Sequence, residues 1–113
     1  MNFEKEIIED IVIEKVILKR ATYKEAEEFR NLVHNDIEAG WHNIVIDMNL
    51  CEYMDSSFLG VLINSLKELE KVNGNLKLAS VHDDAQTILE ITRMSDVFNI
   101  YPDKEEAIKS FRS

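Results

Sequence analysis

The stretch Met54-Asp55-Ser56-Ser57-Phe58-Leu59-Gly60 lies at the junction between a predicted strand and a predicted helix. Before it, residues 43–50 form a short run of largely apolar and β-branched side chains, which is typical of a strand. After it, leucine and isoleucine recur at helical spacing until Asn73-Gly74, which ends the pattern. We therefore predict that Ser56 and Ser57 lie in the first turn of a helix.

Two serine hydroxyls at a helix start have two interpretations. The first backbone N–H groups of a helix have no acceptor within the helix, and the helix dipole is positive at this end. A phosphate group on either serine would therefore be held favourably, which makes Ser56-Ser57 a candidate regulatory switch. Aspartate and serine are also ordinary capping residues, and the seven residues alone favour a plain helix cap.

The N-terminal part of the chain is predicted to form two strands and a helix. Residues 4–9 and 10–18 are extended runs rich in isoleucine and valine. Thr22-Tyr23-Lys24-Glu25 has the pattern of a capping box, in which each side chain accepts a hydrogen bond from the other residue's backbone N–H. An apolar stripe follows at helical spacing and ends at Gly40; its members are Tyr23, Ala26, Phe29, Leu32, Val33 and Ile37.

The rest of the chain alternates strands and helices. Residues 75–81 and 97–101 are predicted strands, Asp83 or Asp84 can cap a third helix, and Asp103 can cap a fourth. The order ββαβαβαβα implies parallel strands joined by right-handed crossovers. We predict one α/β domain over residues 1–113, with a mixed sheet of four to five strands and helices mainly on one face. The leading strands would lie against or across that sheet.

The predicted core follows from the helical stripes and the strand pattern. Five side chains are expected to be nearly inaccessible to solvent: Ile46, Leu62, Leu66, Leu78 and Ile88. Cys51 follows an apolar strand directly, so we expect it to be a small buried hydrophobic residue.

Composition makes several classes of function improbable. Thirteen basic and 22 acidic residues give a formal charge of −9, which opposes binding to nucleic acid or to an anionic membrane surface. No apolar run approaches the ~20 residues needed to cross a bilayer, so no membrane insertion is expected. The N-terminus is charged and unlike a secretory signal. A single cysteine suits a reducing compartment, and we expect the protein to be cytoplasmic.

Signatures of catalysis are missing from the sequence. His34, His42 and His82 lie far apart without the spacing of metal ligands, and one cysteine cannot form a thiolate zinc site. The chain has no glycine-rich phosphate loop, and Ser57 does not lie in a Gly-x-Ser-x-Gly motif. We therefore expect no metal site, no cofactor and no enzymatic activity.

The region from residue 44 to residue 111 resembles the STAS domain, above all that of the bacterial anti-sigma factor antagonists. The resemblance depends on the strand containing Asp47, the junction at residues 54–60, the helix ending at Asn73-Gly74, the strand at residues 76–81 and the stretch at residues 91–101. This combination is far more specific than the Ser56-Ser57 pair.

The resemblance implies a phosphorylation cycle. In such antagonists the second hydroxyl residue after the aspartate is phosphorylated, and that position is Ser57 here. The partner is an anti-sigma factor that is also a serine kinase. The unphosphorylated antagonist binds it and frees the sigma factor, phosphorylation breaks the complex, and a serine phosphatase restores it. The implied partner-binding residues are Thr22, Asp55, Ser56, Ser57, Phe58 and Gly60.

Two positions depart from the family pattern. Thr22 stands where the family has the aspartate of a Gly-x-Leu-Asp turn, and Phe58 stands where it has glycine. We expect the ring of Phe58 to be partly exposed, where it could anchor a partner or obstruct a kinase. The alternative is that the ring folds back near Cys51 or Tyr53 as a hydrophobic staple.

These departures favour a second hypothesis. A STAS domain without a covalent switch could be a structural subunit of a larger assembly, such as a stressosome-like scaffold or the accessory subunit of a lipid transporter's ATPase. The intact Asp55-Ser56-Ser57 sequence favours the switched antagonist.

Overall fold

A central β-sheet covered by helices forms the fold of the protein. The computed structural model describes residues 1–112. Its strands are β1 (Phe3–Ile8), β2 (Ile11–Val16), β3 (Arg20–Ala21), β4 (Asn43–Asp47), β5 (Tyr53–Met54), β6 (Asn75–Ala79) and β7 (Asn99–Tyr101). Its α-helices are α1 (Tyr23–Glu38), α2 (Ser56–Glu70), α3 (Asp83–Ile91) and α4 (Lys104–Ser110), and a 3-10 turn spans Met94–Asp96.

The main sheet has five strands in the order β1-β2-β4-β6-β7. β1 and β2 form an antiparallel hairpin, and the remaining neighbours pair in parallel. The mixed sheet predicted from the sequence is confirmed. The hairpin is the edge of this same sheet and not a separate layer, because β2 pairs along its length with β4. Its tight turn places Glu9 in the left-handed region, with φ of 55°.

The helices cover the two faces of the sheet unequally. The larger core contains apolar side chains from α1, α2 and α3 packed on one face. The smaller core lies on the opposite face, where α4 contributes Ala107 and Ile108. The prediction of helices mainly on one face is therefore confirmed, with α4 as the exception.

Most of the predicted core residues are buried. Ile46, Leu62 and Leu78 are inaccessible to solvent, and Leu66 is nearly so. The prediction for Ile88 is wrong, since this side chain is only half-buried. Ala85 and Leu89, which lie one helical turn apart, form the buried line of α3 and leave Ile88 on its flank.

Helix caps were partly predictable. The capping box at Thr22 and Glu25 is confirmed, and Asp103 caps α4 by accepting from the N–H of Glu106 at 2.8 Å. The prediction for α3 is wrong, because the capping residue is His82, which makes no side-chain capping bond.

Candidate functional site

The starts of α1 and α2 lie side by side because of a second, very small sheet. In this sheet β3 and β5 pair in parallel, with Arg20 opposite Tyr53 and Ala21 opposite Met54. β3 ends two residues before α1 and β5 ends two residues before α2. Their pairing therefore brings the two helix N-termini together. A strand of two residues has no detectable hydrophobic period, so the sequence did not reveal either one.

The carboxylate of Asp55 joins the two helix starts. Its Oδ1 accepts from the backbone N–H of Phe58 at 3.0 Å, which caps α2. Its Oδ2 accepts from the backbone N–H of Tyr23 at 2.9 Å, in the first turn of α1. The N–H of Asp55 in turn donates to the carbonyl of Ala21 at 3.0 Å. One side chain thus satisfies an otherwise unpaired N–H group from each of two helices.

Ser56 and Ser57 are exposed in the first turn of α2. The prediction that Ser57 lies in the first turn of the second helix is confirmed. The first turn of α2 contains no acidic side chain, so the charge closest to it in sequence is the capping carboxylate of Asp55. The positive end of the helix dipole would favour a phosphate at Ser57.

Phe58 points into the core and not toward solvent. Its side chain is completely buried, and its ring stacks on the ring of Phe29 with 4.5 Å between centroids and on that of Phe3 at 6.5 Å. The prediction of a partly exposed ring is wrong. Phe58 precedes buried Leu62 by four residues and therefore begins the inward face of α2. The alternative, in which the ring folds back near Cys51 or Tyr53, is right that the ring points inward. Its stacking partners, however, lie on α1 and β1.

Tyr23 is the exposed aromatic residue at this surface. It begins the apolar stripe seen in the sequence, but the residue is 68% exposed and does not belong to the buried face of α1. It is the first residue of α1, and its backbone is held by Asp55. Nearby on the β3–β5 pair, the guanidinium carbon of Arg20 lies 4.2 Å from the ring centroid of Tyr53.

The remaining predicted site residues differ in accessibility. Thr22 is half-buried, and its hydroxyl accepts from the N–H of Lys24 at 3.3 Å in addition to its part in the capping box with Glu25. Gly60 is half-buried, and a Cβ added there would meet nothing within 4 Å. No backbone contact therefore requires glycine at this position. The structure brings Thr22, Asp55, Ser56 and Ser57 together at the helix starts.

Cys51 lies just before this surface but is inside the protein. Its side chain is fully buried, as predicted, and the sulfur donates to the carbonyl of Tyr53 at 3.3 Å. Burial raises the pKa of the thiol, because removal from water disfavours the thiolate. The sulfur therefore contributes to packing and is poorly suited to nucleophilic chemistry.

The comparison with known protein families agrees with this architecture. The STAS domain family matches residues 2–107. The chain belongs to the STAS-domain family. The resemblance found in the sequence is thereby confirmed, and it extends over the N-terminal strands as well.

Several proteins and solved structures that are similar to this STAS protein come from bacteria. A Thermotoga neapolitana protein, named as a candidate anti-sigma factor antagonist, is 30% identical over 108 residues, which is 95% of each chain. The crystal structure of a candidate anti-sigma factor antagonist from Thermotoga maritima has a TM-score of 0.90 and 26% identity, covering 98% of this chain and 95% of that one. The Bacillus protein SpoIIAA, solved in its phosphorylated form, is 22% identical with a TM-score of 0.75, covering 96% and 98% of the two chains. This last likeness shows the fold alone.

Two features are absent from residues 1–112. No helix there is both long enough and apolar enough to cross a bilayer. Within the same residues, no cluster of three or more histidine, cysteine or acidic side chains is arranged to hold a metal ion.

Proposed function

We propose that this STAS protein is a cytoplasmic anti-sigma factor antagonist that acts as one domain over residues 1–113. It binds an anti-sigma factor through the surface at the starts of α1 and α2 and thereby frees the sigma factor. The names of the relatives from Thermotoga support this function. It requires binding and no catalysis by the STAS protein itself.

Phosphorylation of Ser57 switches the antagonist off in this proposal. The anti-sigma factor is itself a serine kinase, and a serine phosphatase restores the binding form. The observation that carries the proposal is the position of Ser57, which is exposed in the first turn of α2 two residues from the bridging carboxylate of Asp55. A dianion there would require desolvation on binding and would add like charge beside Asp55, while the helix dipole would keep the modified domain folded.

The burial of Phe58 supports the proposal that a kinase can reach the hydroxyl of Ser57. The family has glycine at this position, and an exposed ring could have obstructed the active site of a kinase. Because the ring stacks on Phe29 inside the protein, it does not stand beside the hydroxyl of Ser57 at the surface.

Tyr23 supplies an aromatic contact that Phe58 cannot make. Its side chain is exposed, and its backbone is fixed by Asp55 and by the capping box, so little backbone freedom is lost when a partner binds. Tyrosine is enriched among residues that dominate binding energy at interfaces. Together, Thr22, Tyr23, Asp55, Ser56 and Ser57 would form the partner-binding surface.

A phosphorylation assay with the kinase-type anti-sigma factor of the same organism tests the proposal. Incubation with ATP is expected to add one phosphate, located at Ser57 by fragmentation mass spectrometry. Ser57→Ala should abolish the label, whereas the matched control Ser56→Ala should retain it. Label on Ser56 alone would contradict the assignment of the switch.

Binding measurements separate the switched antagonist from the non-switched scaffold. The unphosphorylated protein and Ser57→Ala should both bind the anti-sigma factor, and phosphorylation of the wild-type protein should weaken the complex at least about tenfold, or roughly 1.4 kcal/mol. Absence of both label and binding would favour the STAS subunit of a larger assembly.

A further inference from the structure

A pair of buried carboxyl groups lies beneath α1, away from the helix starts. Glu14 is in the middle of β2 and is completely buried, and Asp36 near the end of α1 is 1% exposed. Glu14 is on the same face of β2 as Val12 and Val16, which belong to the larger core. Both carboxyl groups therefore lie between the sheet and the helix that covers it.

These two groups have too few hydrogen-bond donors. Among residues 1–112, neither oxygen of Glu14 has a hydrogen-bond partner, and the same holds for Oδ2 of Asp36. Lys5 lies opposite Glu14 on β1. Its Nζ forms an ion pair with Oδ1 of Asp36 and lies 3.5 Å from Oε2 of Glu14. One ammonium group therefore faces two carboxyl groups.

The charged groups that act on Glu14 come from β1 and α1. β4 presents Ile46 directly opposite Glu14, and the charged groups that act on Glu14 are Lys5 from β1 and Asp36 from α1. Two ionised carboxylates this close in a buried site repel each other strongly, and an unpaired buried charge is very unfavourable. A buried acceptor without a donor is also unfavourable.

We propose that Glu14 and Asp36 hold one shared proton, so that the cluster of Lys5, Glu14 and Asp36 is a proton-binding site that attaches α1 to the β1–β2 hairpin. With this proton on Glu14, its hydroxyl becomes a donor to the carboxylate of Asp36. The ammonium of Lys5 then balances the one remaining negative charge. The cluster is neutral overall, and the shortage of donors is relieved without any other ligand.

The pKa of Glu14 is shifted upward, as a shared proton requires. Burial raises the pKa of Glu14 from 4.5 to about 8, followed by the hydrogen bond that the protonated carboxyl group makes to Asp36 and by the charge of Asp36. Because the pKa is raised in the folded state, the folded protein binds more protons than the unfolded chain between these two pH values. Stability from this site is therefore complete below about pH 4.5 and is lost as the pH rises to about 8.

Unfolding by urea over a pH series tests the site with Glu14→Gln, whose amide donates to Asp36 without a titrating proton. Glu4→Gln, an exposed substitution on β1, is the matched control. Between pH 5 and 8 the unfolding constant of the wild-type protein should rise, relative to that of Glu14→Gln, by up to about tenfold per pH unit. Glu4→Gln should follow the wild type. If the unfolding constants of the wild-type protein and of Glu14→Gln changed with pH in parallel, the proposal would be overturned.

A second measurement uses the wild-type protein and does not depend on the folding of any variant. The side-chain carboxyl ¹³C resonance of Glu14 should titrate with a midpoint near pH 8, well above the ordinary range for a glutamate side chain. A midpoint for Glu14 in the ordinary glutamate range would also overturn the shared proton. Neither experiment involves a partner protein or Ser57, so failure here is distinct from failure of the proposed antagonist function.

Discussion

The carboxylate of Asp55 holds the backbone of Tyr23, 32 residues earlier in the chain, through a hydrogen bond of 2.9 Å. The same side chain caps its own helix through the N–H of Phe58. A bond between two helix starts fixes their relative position more directly than packing of their long side chains does. Exposed Tyr23 and exposed Ser57 are therefore presented on one pre-organised surface.

Substitution of Asp55 should reveal both of its capping roles. Asp55→Ala removes an acceptor from α1 and from α2, and with ~1 kcal/mol typical of one cap the free energy of unfolding should fall by about 2 kcal/mol. Asp55→Asn keeps one acceptor oxygen and should lose about half as much. Chemical denaturation measures both values.

The control for Asp55 is Asp103→Ala, which removes the cap of α4 alone. Its loss of stability should be about 1 kcal/mol. Equal losses for Asp55→Ala and Asp103→Ala would mean that the bond to Tyr23 contributes nothing to stability.

Replacement of Phe58 should damage the fold and leave the binding surface intact. Phe58→Ala should lower the free energy of unfolding by about 3–5 kcal/mol, since it opens a cavity against Phe29 and Phe3. Phe58→Gly restores the family residue but should be worse by a further ~1 kcal/mol, because glycine is unfavourable inside a helix. Thermal and urea unfolding test this order. A variant that retains wild-type stability would contradict the stacked arrangement.

Tyr23→Ala should weaken binding to the partner and leave the stability of the fold nearly unchanged. Because the side chain is exposed, stability should change by no more than about 0.5 kcal/mol. If Tyr23 contacts the anti-sigma factor, affinity should fall by about 1 kcal/mol or more, measured by titration calorimetry. Unchanged affinity would remove Tyr23 from the proposed surface.

Leu66 and Ile88 form a matched test of core packing. Leu66 is 4% exposed on α2, and Leu66→Ala should reduce stability by about 2–5 kcal/mol. Ile88 on α3 is half-buried, so Ile88→Ala should have a clearly smaller effect. A loss below about 1 kcal/mol for Leu66→Ala would mean that the inward face of α2 is assigned wrongly.

The thiol of Cys51 should react slowly in the folded protein. Each unit by which the pKa is raised lowers the fraction of reactive thiolate about tenfold at neutral pH, and burial also blocks the reagent. Reaction with a thiol reagent should be slow in buffer, should accelerate as pH rises, and should become rapid in denaturing urea. Rapid labelling of the native protein would contradict the buried position.

Local signals explain what could be predicted about the site. The capping box at Thr22 and the start of α2 at Ser56 depend on residues three or four positions apart, so their patterns are visible along the chain. The exposed orientation of Tyr23 was missed because one residue at the end of an apolar stripe gives no information about where the core ends. The position of Phe58 in the first helical turn, directly after Ser57, predicts a partly exposed ring, whereas its spacing of four residues from Leu62 places it on the inner face.

The amino-acid sequence by itself determined the α/β class, the succession of main strands and helices, and the position of Ser57 in a first helical turn, because periodicity and caps are local properties. Only the tertiary structure decided the bond from Asp55 to Tyr23, the stacking of Phe58 on Phe29, and the meeting of Glu14 with Asp36. Each of these joins residues more than 20 positions apart. Such contacts exist only after the sheet order and helix packing have formed, so no pattern within a short segment specifies them.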